Sequence, residues 1–141
     1  RFREGCFAPN VPARNLVVAA QHRIAVGQNG QIPDLRPAFM PAKAMTKLSG
    51  THIVSRHKDI QWWHIICNQH CLIFANGVVS ETMLLGPQTY RNFSNSQRRA
   101  IRTALPLGSG AFLAQEAALP CLSVQEGRRA LSRITPLEQS A

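Results

Sequence analysis

The sequence predicts an α+β domain: a small mixed β-sheet with two or more helices, followed by an extended C-terminal tail. Three observations support this fold class. An apolar run rich in β-branched residues lies near the start, apolar residues recur at helical spacing in the middle, and helix-start signals follow towards the end. We expect a compact domain over residues 1–85 and a C-terminal extension over 86–141.

The first strands are predicted around the apolar run from Leu16 to Ala20. Its valines favour a buried strand because β-branched side chains suit a pleated surface. Asn29-Gly30 predicts a type I′ turn, since both central positions of that turn need positive φ. Thr51 to Ser55 is predicted to form a further strand. Together these segments predict a small platform of strands.

A helix is predicted in the middle of the chain. Ile60, Trp63 and Cys67 stand at i, i+3 and i+7, the spacing of one helix face, and Asp59 is a suitable N-cap. Ser80 is the predicted N-cap of the next helix, and we expect Trp63 to anchor the core.

Two more helices are predicted in the C-terminal extension. The basic stretch from Gln97 to Arg102 indicates a short helix. Ser123 and Glu126 form a capping-box pattern, which predicts a last helix that ends before Pro136. Leu105 to Pro120 is rich in Gly, Ala, Pro and Leu, so we expect it to be irregular.

The charge balance favours a polyanionic partner. The chain has 16 Lys and Arg against 7 Asp and Glu, a formal net charge of +9. Such an excess gives salt-sensitive affinity for nucleic acid. A basic surface that binds nothing, or one that binds an anionic membrane, is the alternative. The charge is spread along the whole chain, which favours nucleic acid. No apolar run approaches the roughly 18 residues of a membrane-spanning helix.

Several pieces of the chain resemble the bacterial-type small-subunit ribosomal protein sixteen family, in its mitochondrial branch. They are Pro12, the strand from Leu16 to Ala19, the turn Asn29-Gly30-Gln31, Phe39 with Pro41, and Ile60 with Trp62 and Trp63. The resemblance implies a structural constituent of the mitochondrial small subunit that binds and stabilises rRNA beside neighbouring ribosomal proteins in the matrix. It implies no catalysis, no small-molecule substrate and no membrane.

Basic residues spread through the chain are the predicted RNA contacts. Arg1 and Arg3 follow from the resemblance, and the others from their charge and place beside predicted strands and helices. Each can instead be merely solvated. The predicted set is Arg1, Arg3, Arg14, Arg23, Arg36, Arg56, Lys58, Arg98 and Arg99.

The four cysteines do not form a secretory disulfide pattern, which fits a reducing compartment. The resemblance implies that Cys6 helps to hold an iron–sulfur cluster or zinc shared with a neighbouring protein. One cysteine cannot hold a cluster alone, so a buried thiol is the alternative. A second potential metal set is His64, Cys67, His70 and Cys71, whose spacing matches no standard zinc motif.

Two other stretches resemble known families. Leu16 to Ala20 with Gly27 to Pro33 resembles the opening of dihydrofolate reductase, but Asp34 stands where that family has Trp, and no carboxylate stands near Ala38 to supply a proton. The stretch from Val79 to Arg99 resembles small-subunit ribosomal protein eighteen, without a match to its first strand.

Overall fold

The computed structural model describes residues 1–28, 30–55, 60–105 and 115–134. Its elements, in chain order, are β1 (Arg23–Val26), β2 (Ala38–Pro41), a 3₁₀ helix (Ala42–Lys47), β3 (Leu72–Ala75), β4 (Val78–Glu81), α1 (Pro87–Arg91), α2 (Asn95–Ala104) and α3 (Val124–Leu131). The predicted α+β class is confirmed. The proposed division after residue 85 stays a prediction.

The sheet has the order β2-β1-β4-β3, and its neighbouring strands are antiparallel. β1 and β4 are its central strands, although more than 50 residues of chain separate them. Every residue of β2 and β4 is buried, and so are three of the four residues of β1. The centre of the sheet is therefore the core of the described fold.

The hairpin between β3 and β4 turns at Asn76-Gly77. Both residues have positive φ, 53° and 83°, as a type I′ turn requires. The Asn-Gly turn predicted at residues 29 and 30 instead falls in the long connection between β1 and β2, and Asn29 lies outside the described residues. The second Asn-Gly dipeptide of the chain, Asn76-Gly77, is therefore the one that forms a hairpin turn.

The strand predicted over Leu16 to Ala20 does not form at that position. That run forms no strand, and its one bridge among the described residues is Leu16 with Phe2. The strand comes later, at Arg23–Val26, because it pairs with both β2 and β4. Thr51 likewise bridges Phe2, while His52 to Ser55 is not part of a strand.

Two of the predicted helices are absent from the described residues. Residues 60–71 are not helical, and Trp63 is 86% exposed rather than a core anchor. The predicted N-cap Asp59 lies outside the described residues. Ser80 lies inside β4, so it caps no helix. The helical spacing here therefore did not correspond to a buried face.

The C-terminal helices were predicted correctly. α2 covers the basic stretch, and Ser123 caps α3 by accepting the backbone N–H of Glu126. α3 packs on the body of the fold through Gly127, which is buried against Met40 and Ala44. None of the described helices is long and apolar enough to cross a membrane.

Candidate functional site

Polar side chains that are buried or half-buried lie where β1 meets β4, and we call them the polar cluster: His22, Arg23, His70, Ser80, Glu81 and Thr82. Ser80 is 1% exposed, Thr82 1%, His70 5% and Glu81 7%. Burial of polar groups is unfavourable unless they are hydrogen-bonded, and burial of a charge requires a partner. The cluster therefore depends on the contacts that its members make with one another.

Glu81 is the charged centre of the polar cluster. One carboxylate oxygen, Oε1, accepts the backbone N–H of Arg23 at 2.9 Å. The other, Oε2, lies 3.2 Å from Arg23 NH1 and 3.3 Å from His70 Nε2. Strand pairing positions these groups, because Ile24 lies opposite Ser80 and brings Arg23 beside Glu81. The sheet register thus builds an ion pair in which Glu81 is buried and Arg23 is partly exposed.

His70 is held in one tautomer by the backbone. Its Nδ1 accepts the N–H of Ala118 at 3.0 Å, so in the neutral ring the proton is on Nε2. Nε2 faces the carbonyl oxygen of Thr82 at 3.0 Å and the carboxylate of Glu81. The ring also packs on Phe39, with centroids 5.1 Å apart. His70 is therefore a fixed hydrogen-bond donor in a buried site.

The loop before β3 is tied to β4 through Thr82. The N–H of Thr82 donates to Cys71 O at 2.9 Å, and the N–H of Cys71 donates to Thr82 Oγ1 at 3.0 Å. Both of these reciprocal bonds are made by Cys71, the residue that follows His70. They fix the backbone that carries the imidazole.

His22 is the more accessible histidine of the polar cluster. Its Nε2 is hydrogen-bonded to the hydroxyl of Ser80, which also contacts the carbonyl of Arg23 at 3.3 Å. Burial lowers the pKa of His22. The charge of Glu81 opposes this shift, and His64 and Arg23 reinforce it. His22 is therefore a neutral imidazole at neutral pH, able to accept a proton.

A segment from the C-terminal part of the chain covers the polar cluster. Besides the N–H of Ala118, it contributes Gln115, whose side-chain amide donates to Cys67 O at 2.9 Å and accepts the N–H of Leu85 at 3.0 Å. The backbone of Phe39 also bonds to this segment, donating to Pro120 O at 2.8 Å. The site thus draws on residues far apart in the chain.

Three of the cysteines, Cys6, Cys67 and Cys121, have a raised pKa, which favours the protonated thiol. Burial raises the pKa of Cys6 and of Cys121. The pKa of Cys67 is also raised, by burial and by a hydrogen bond with the thiol of Cys71. A thiolate is the nucleophile and metal ligand. Within the described residues no group of three or more His, Cys, Asp or Glu side chains is placed to hold a metal ion, so the predicted cluster or zinc at Cys6 stays a prediction.

Two of the predicted RNA contacts bond to other groups of the chain in the structure. Arg23 is occupied by Glu81, and Arg98 donates to the carbonyls of Tyr90 and Arg91 at the end of α1. The exposed members are Arg1, Arg3, Arg14, Arg36 and Arg99, while Arg56 and Lys58 lie outside the described residues. Contact of these residues with RNA stays a prediction.

The sequence did not indicate the polar cluster. By local pattern Ser80 predicts the start of a helix, and His70 belongs to a set whose spacing matches no standard zinc motif. The sequence feature that could have indicated this site is the polar triplet Ser80-Glu81-Thr82, which directly follows the β-branched pair Val78-Val79. Only the pairing of β4 with β1 shows that this triplet is buried.

The site defines a small α+β domain with a buried histidine–glutamate–arginine cluster. A family model described as Hint domain matches residues 1–87, which is more than half of the chain. The chain therefore belongs to the Hint (hedgehog/intein) domain family. No curated protein and no solved structure shows a significant match.

This match corrects the ribosomal interpretation. The resemblance to ribosomal protein sixteen is wrong, and so is the function of an rRNA-binding mitochondrial ribosome constituent. The reductase and ribosomal protein eighteen alternatives gain no support either. The physical reason is visible in two pieces of the pattern. The apolar run from Leu16 is not a sheet strand, and Ser80 lies in one. The rRNA, neighbouring ribosomal proteins and matrix location were implied by that resemblance and stay predictions without it.

Proposed function

We propose that this chain is part of a self-processing domain, which acts on a peptide bond of the polypeptide that carries it. The observation that carries the proposal is the buried pair of His70 and Glu81, which lies within the stretch matched to the Hint family. Autoprocessing or intein-like activity is what that family match suggests. This proposal replaces the expectation of a purely structural protein.

Cleavage or rearrangement of a peptide bond has two chemical needs. A hydroxyl, thiol or water must lose a proton as it attacks the carbonyl carbon, and the departing amide nitrogen must gain one as the C–N bond breaks. Hydrogen-bond donors aimed at the carbonyl oxygen also stabilise the charge that develops there.

The polar cluster has groups suited to these tasks. His70 Nε2–H already donates to a peptide carbonyl, that of Thr82, so it can polarise a carbonyl oxygen. His22 is neutral at neutral pH and can accept the proton. The ion pair of Arg23 and Glu81 joins β1 and β4, and β4 contacts His22 through Ser80 and His70 through Glu81. Ser80 is buried in the core and bonded to His22, so we assign it to positioning rather than to attack.

The test follows the mass of the polypeptide over time. The chain is expressed between two different tags, and intact-mass spectrometry records cleaved or rejoined products over hours. We expect His70→Ala to slow product formation by about a hundredfold, the usual effect of removing one such donor. His52→Ala is the matched control, because His52 is exposed and outside the polar cluster.

Circular dichroism melting separates loss of chemistry from loss of fold. Products that form equally fast in the parent and in folded His70→Ala would contradict the role of His70. A tagged parent that stays intact throughout would contradict the function itself.

A further inference from the structure

A segment outside the family-matched stretch contacts the imidazole of His70. Residues 115–122, which we call the strap, follow the matched residues 1–87 in the chain. The backbone N–H of Ala118 donates to Nδ1 of His70 at 3.0 Å, whereas Ala118 itself is exposed. The contact with His70 thus comes from the main chain of the strap.

We propose that the strap is a positioning element for His70, in which the N–H of Ala118 keeps the ring proton on Nε2. Its part in the chemistry rests on the self-processing function proposed above, in which Nε2–H polarises a carbonyl oxygen. Its effect on the ring is a property of the folded chain and is measurable without any cleavage. Residues of the C-terminal extension then complete a site whose polar side chains all lie within residues 1–87.

The two ring nitrogens of His70 have different partners. Nε2 faces two acceptors, the carbonyl oxygen of Thr82 at 3.0 Å and Oε2 of Glu81 at 3.3 Å. Nδ1 faces a donor, the N–H of Ala118, and a ring nitrogen that accepts a hydrogen bond uses its lone pair to do so. The bond that one ring nitrogen makes decides whether the other carries the proton. The strap therefore leaves Nε2 as the donor.

Phe39 joins the strap to the ring of His70. The N–H of Phe39 donates to Pro120 O at 2.8 Å, and its C=O accepts the N–H of Leu122 at 2.9 Å. Leu119 packs against the buried cluster that contains Phe39. The phenyl ring of Phe39 packs on the imidazole, with centroids 5.1 Å apart. One end of the strap is thus fixed to the residue that also supports His70.

Gln115 fixes the other end of the strap. Its side-chain Nε2 donates to the carbonyl oxygens of Cys67 at 2.9 Å and Asn68 at 3.1 Å. Its Oε1 accepts the backbone N–H of Leu85 at 3.0 Å. Cys67 and Asn68 directly precede the loop position of His70, so this amide joins the strap to the segment that carries the imidazole. The strap is therefore anchored on both sides of the N–H that meets Nδ1.

Nitrogen-15 NMR of the histidine rings measures the tautomer. The chain has five histidines, and the signals missing from His70→Gln are those of His70. Near neutral pH we expect Nδ1 of His70 in the parent to give the signal of an unprotonated nitrogen, and Nε2 that of a protonated one. Ala118→Pro has no N–H at this point of the strap. In that variant the Nδ1 signal should move towards that of a protonated nitrogen, because no donor of the strap then faces it.

Two control variants separate loss of this N–H from loosening of the strap. Ala118→Ser changes the same exposed position but keeps the N–H. Glu116→Pro places a proline at an exposed position whose N–H bonds to no other described residue. Both should keep the ring signals of the parent. Parent-like signals in folded Ala118→Pro, or an equal shift in Glu116→Pro, would overturn the proposal.

A backbone ester serves where Ala118→Pro fails to fold. L-lactic acid in place of Ala118 removes the N–H and keeps the side chain, so the Nδ1 signal should move in the same direction. An unshifted signal in the folded ester would overturn the proposal as well.

Rates of product formation connect the strap to self-processing. With the chain between its two tags, Ala118→Pro should slow product formation by about tenfold, the loss expected for one buried hydrogen bond. Ala118→Ser should keep the parent rate. A parent-like rate together with a shifted Nδ1 signal would overturn the part of the strap in the chemistry. If the parent itself forms no product, the self-processing function fails, and the ring signals still decide whether the strap positions His70.

Discussion

Arg23 and Glu81 form an ion pair across the two central strands, with NH1 and Oε2 3.2 Å apart. The side chain of Glu81 is only 8% exposed, whereas that of Arg23 is 32% exposed. Glu81 also accepts the backbone N–H of Arg23, so the pair joins the strands through both main chain and side chain. Two strands that are distant in the sequence are thereby held in one register.

Loss of the arginine side of this pair should destabilise the fold. Arg23→Met leaves the Glu81 carboxylate buried without its cation, and we expect the free energy of unfolding to fall by about 2–3 kcal/mol. That is less than the ~3–5 kcal/mol of a fully buried pair, because Arg23 is partly exposed. Urea unfolding measures the change.

Matched variants test whether charge is the cause. Arg36→Met changes an exposed arginine and should alter stability by less than about 0.5 kcal/mol. Arg23→Met combined with Glu81→Gln should recover part of the loss, since no buried charge then remains. A single Arg23→Met variant as stable as Arg36→Met would contradict the importance of the pair.

The two capping boxes should have different consequences when broken. Ser123 caps α3, which packs on the core, and Ser94 caps α2, which has no buried residue. Ser123→Ala should lower global stability by about 1 kcal/mol. Ser94→Ala should leave global unfolding nearly unchanged, because α2 frays locally instead.

Hydrogen exchange distinguishes these two responses. Amides of α2 should exchange faster in Ser94→Ala, while the amides of β1 and β4 keep their protection. An equal loss of global stability in both variants would show that α2 is coupled to the core more strongly than its exposure indicates.

Features of this chain that are defined by neighbouring residues could be predicted from the sequence, whereas features that depend on distant residues could not. The capping box at Ser123 was predicted correctly because a box is defined within four residues. The α+β fold class could also be predicted from the sequence. The place of β1 was not, because Arg23–Val26 is less apolar than the run from Leu16 and becomes a strand only through its pairing with β2 and β4.

The polar cluster was hidden for the same reason. Ser80 before Glu81 is a good helix start by local rules, and only tertiary contacts place both in a buried strand. The helical spacing of Ile60, Trp63 and Cys67 predicted a helix with a buried face. Residues 60–71 are not helical, and Trp63 is almost fully exposed. Pattern alone could therefore place the chain in a fold class without locating its site.

Gly127 is expected to be sensitive to a single methyl group. A Cβ at this position would lie 2.9 Å from Ala44 Cβ and 2.9 Å from Met40 Cγ. Met40 can adjust its side chain, but Ala44 can move only with the 3₁₀ helix that carries it. We expect Gly127→Ala to cost about 1–2 kcal/mol, because overpacking outweighs the gain of about 1 kcal/mol in helix propensity.

Gly86→Ala is the control for this substitution. A Cβ at Gly86 meets nothing within 4 Å, so its effect on thermal unfolding should be small. If Gly127→Ala raised the melting temperature above that of the parent, α3 would have room to move away from Met40, and the tight contact would be disproved.

His22 should make the stability of the domain depend on pH. Burial lowers its pKa below the ordinary value of 6.5, against the opposing charge of Glu81 and with the help of His64 and Arg23. Below pH 6.5 the unfolded chain therefore binds a proton that the folded chain resists. The contribution of His22 to stability is complete above that pH and is lost as the pH falls towards the folded pKa. Its slope is at most about 1.4 kcal/mol per pH unit.

Substitution isolates this contribution. His22→Gln removes the titrating group, so the free energy of unfolding should fall less steeply between about pH 7 and pH 5 than in the parent. His52→Gln, at an exposed position, should keep the parent slope. Urea unfolding at a series of pH values gives all three slopes. Parallel curves for the parent and His22→Gln would mean that His22 takes up its proton equally well in the folded and unfolded chains. Burial within the polar cluster would then not be what keeps this imidazole neutral.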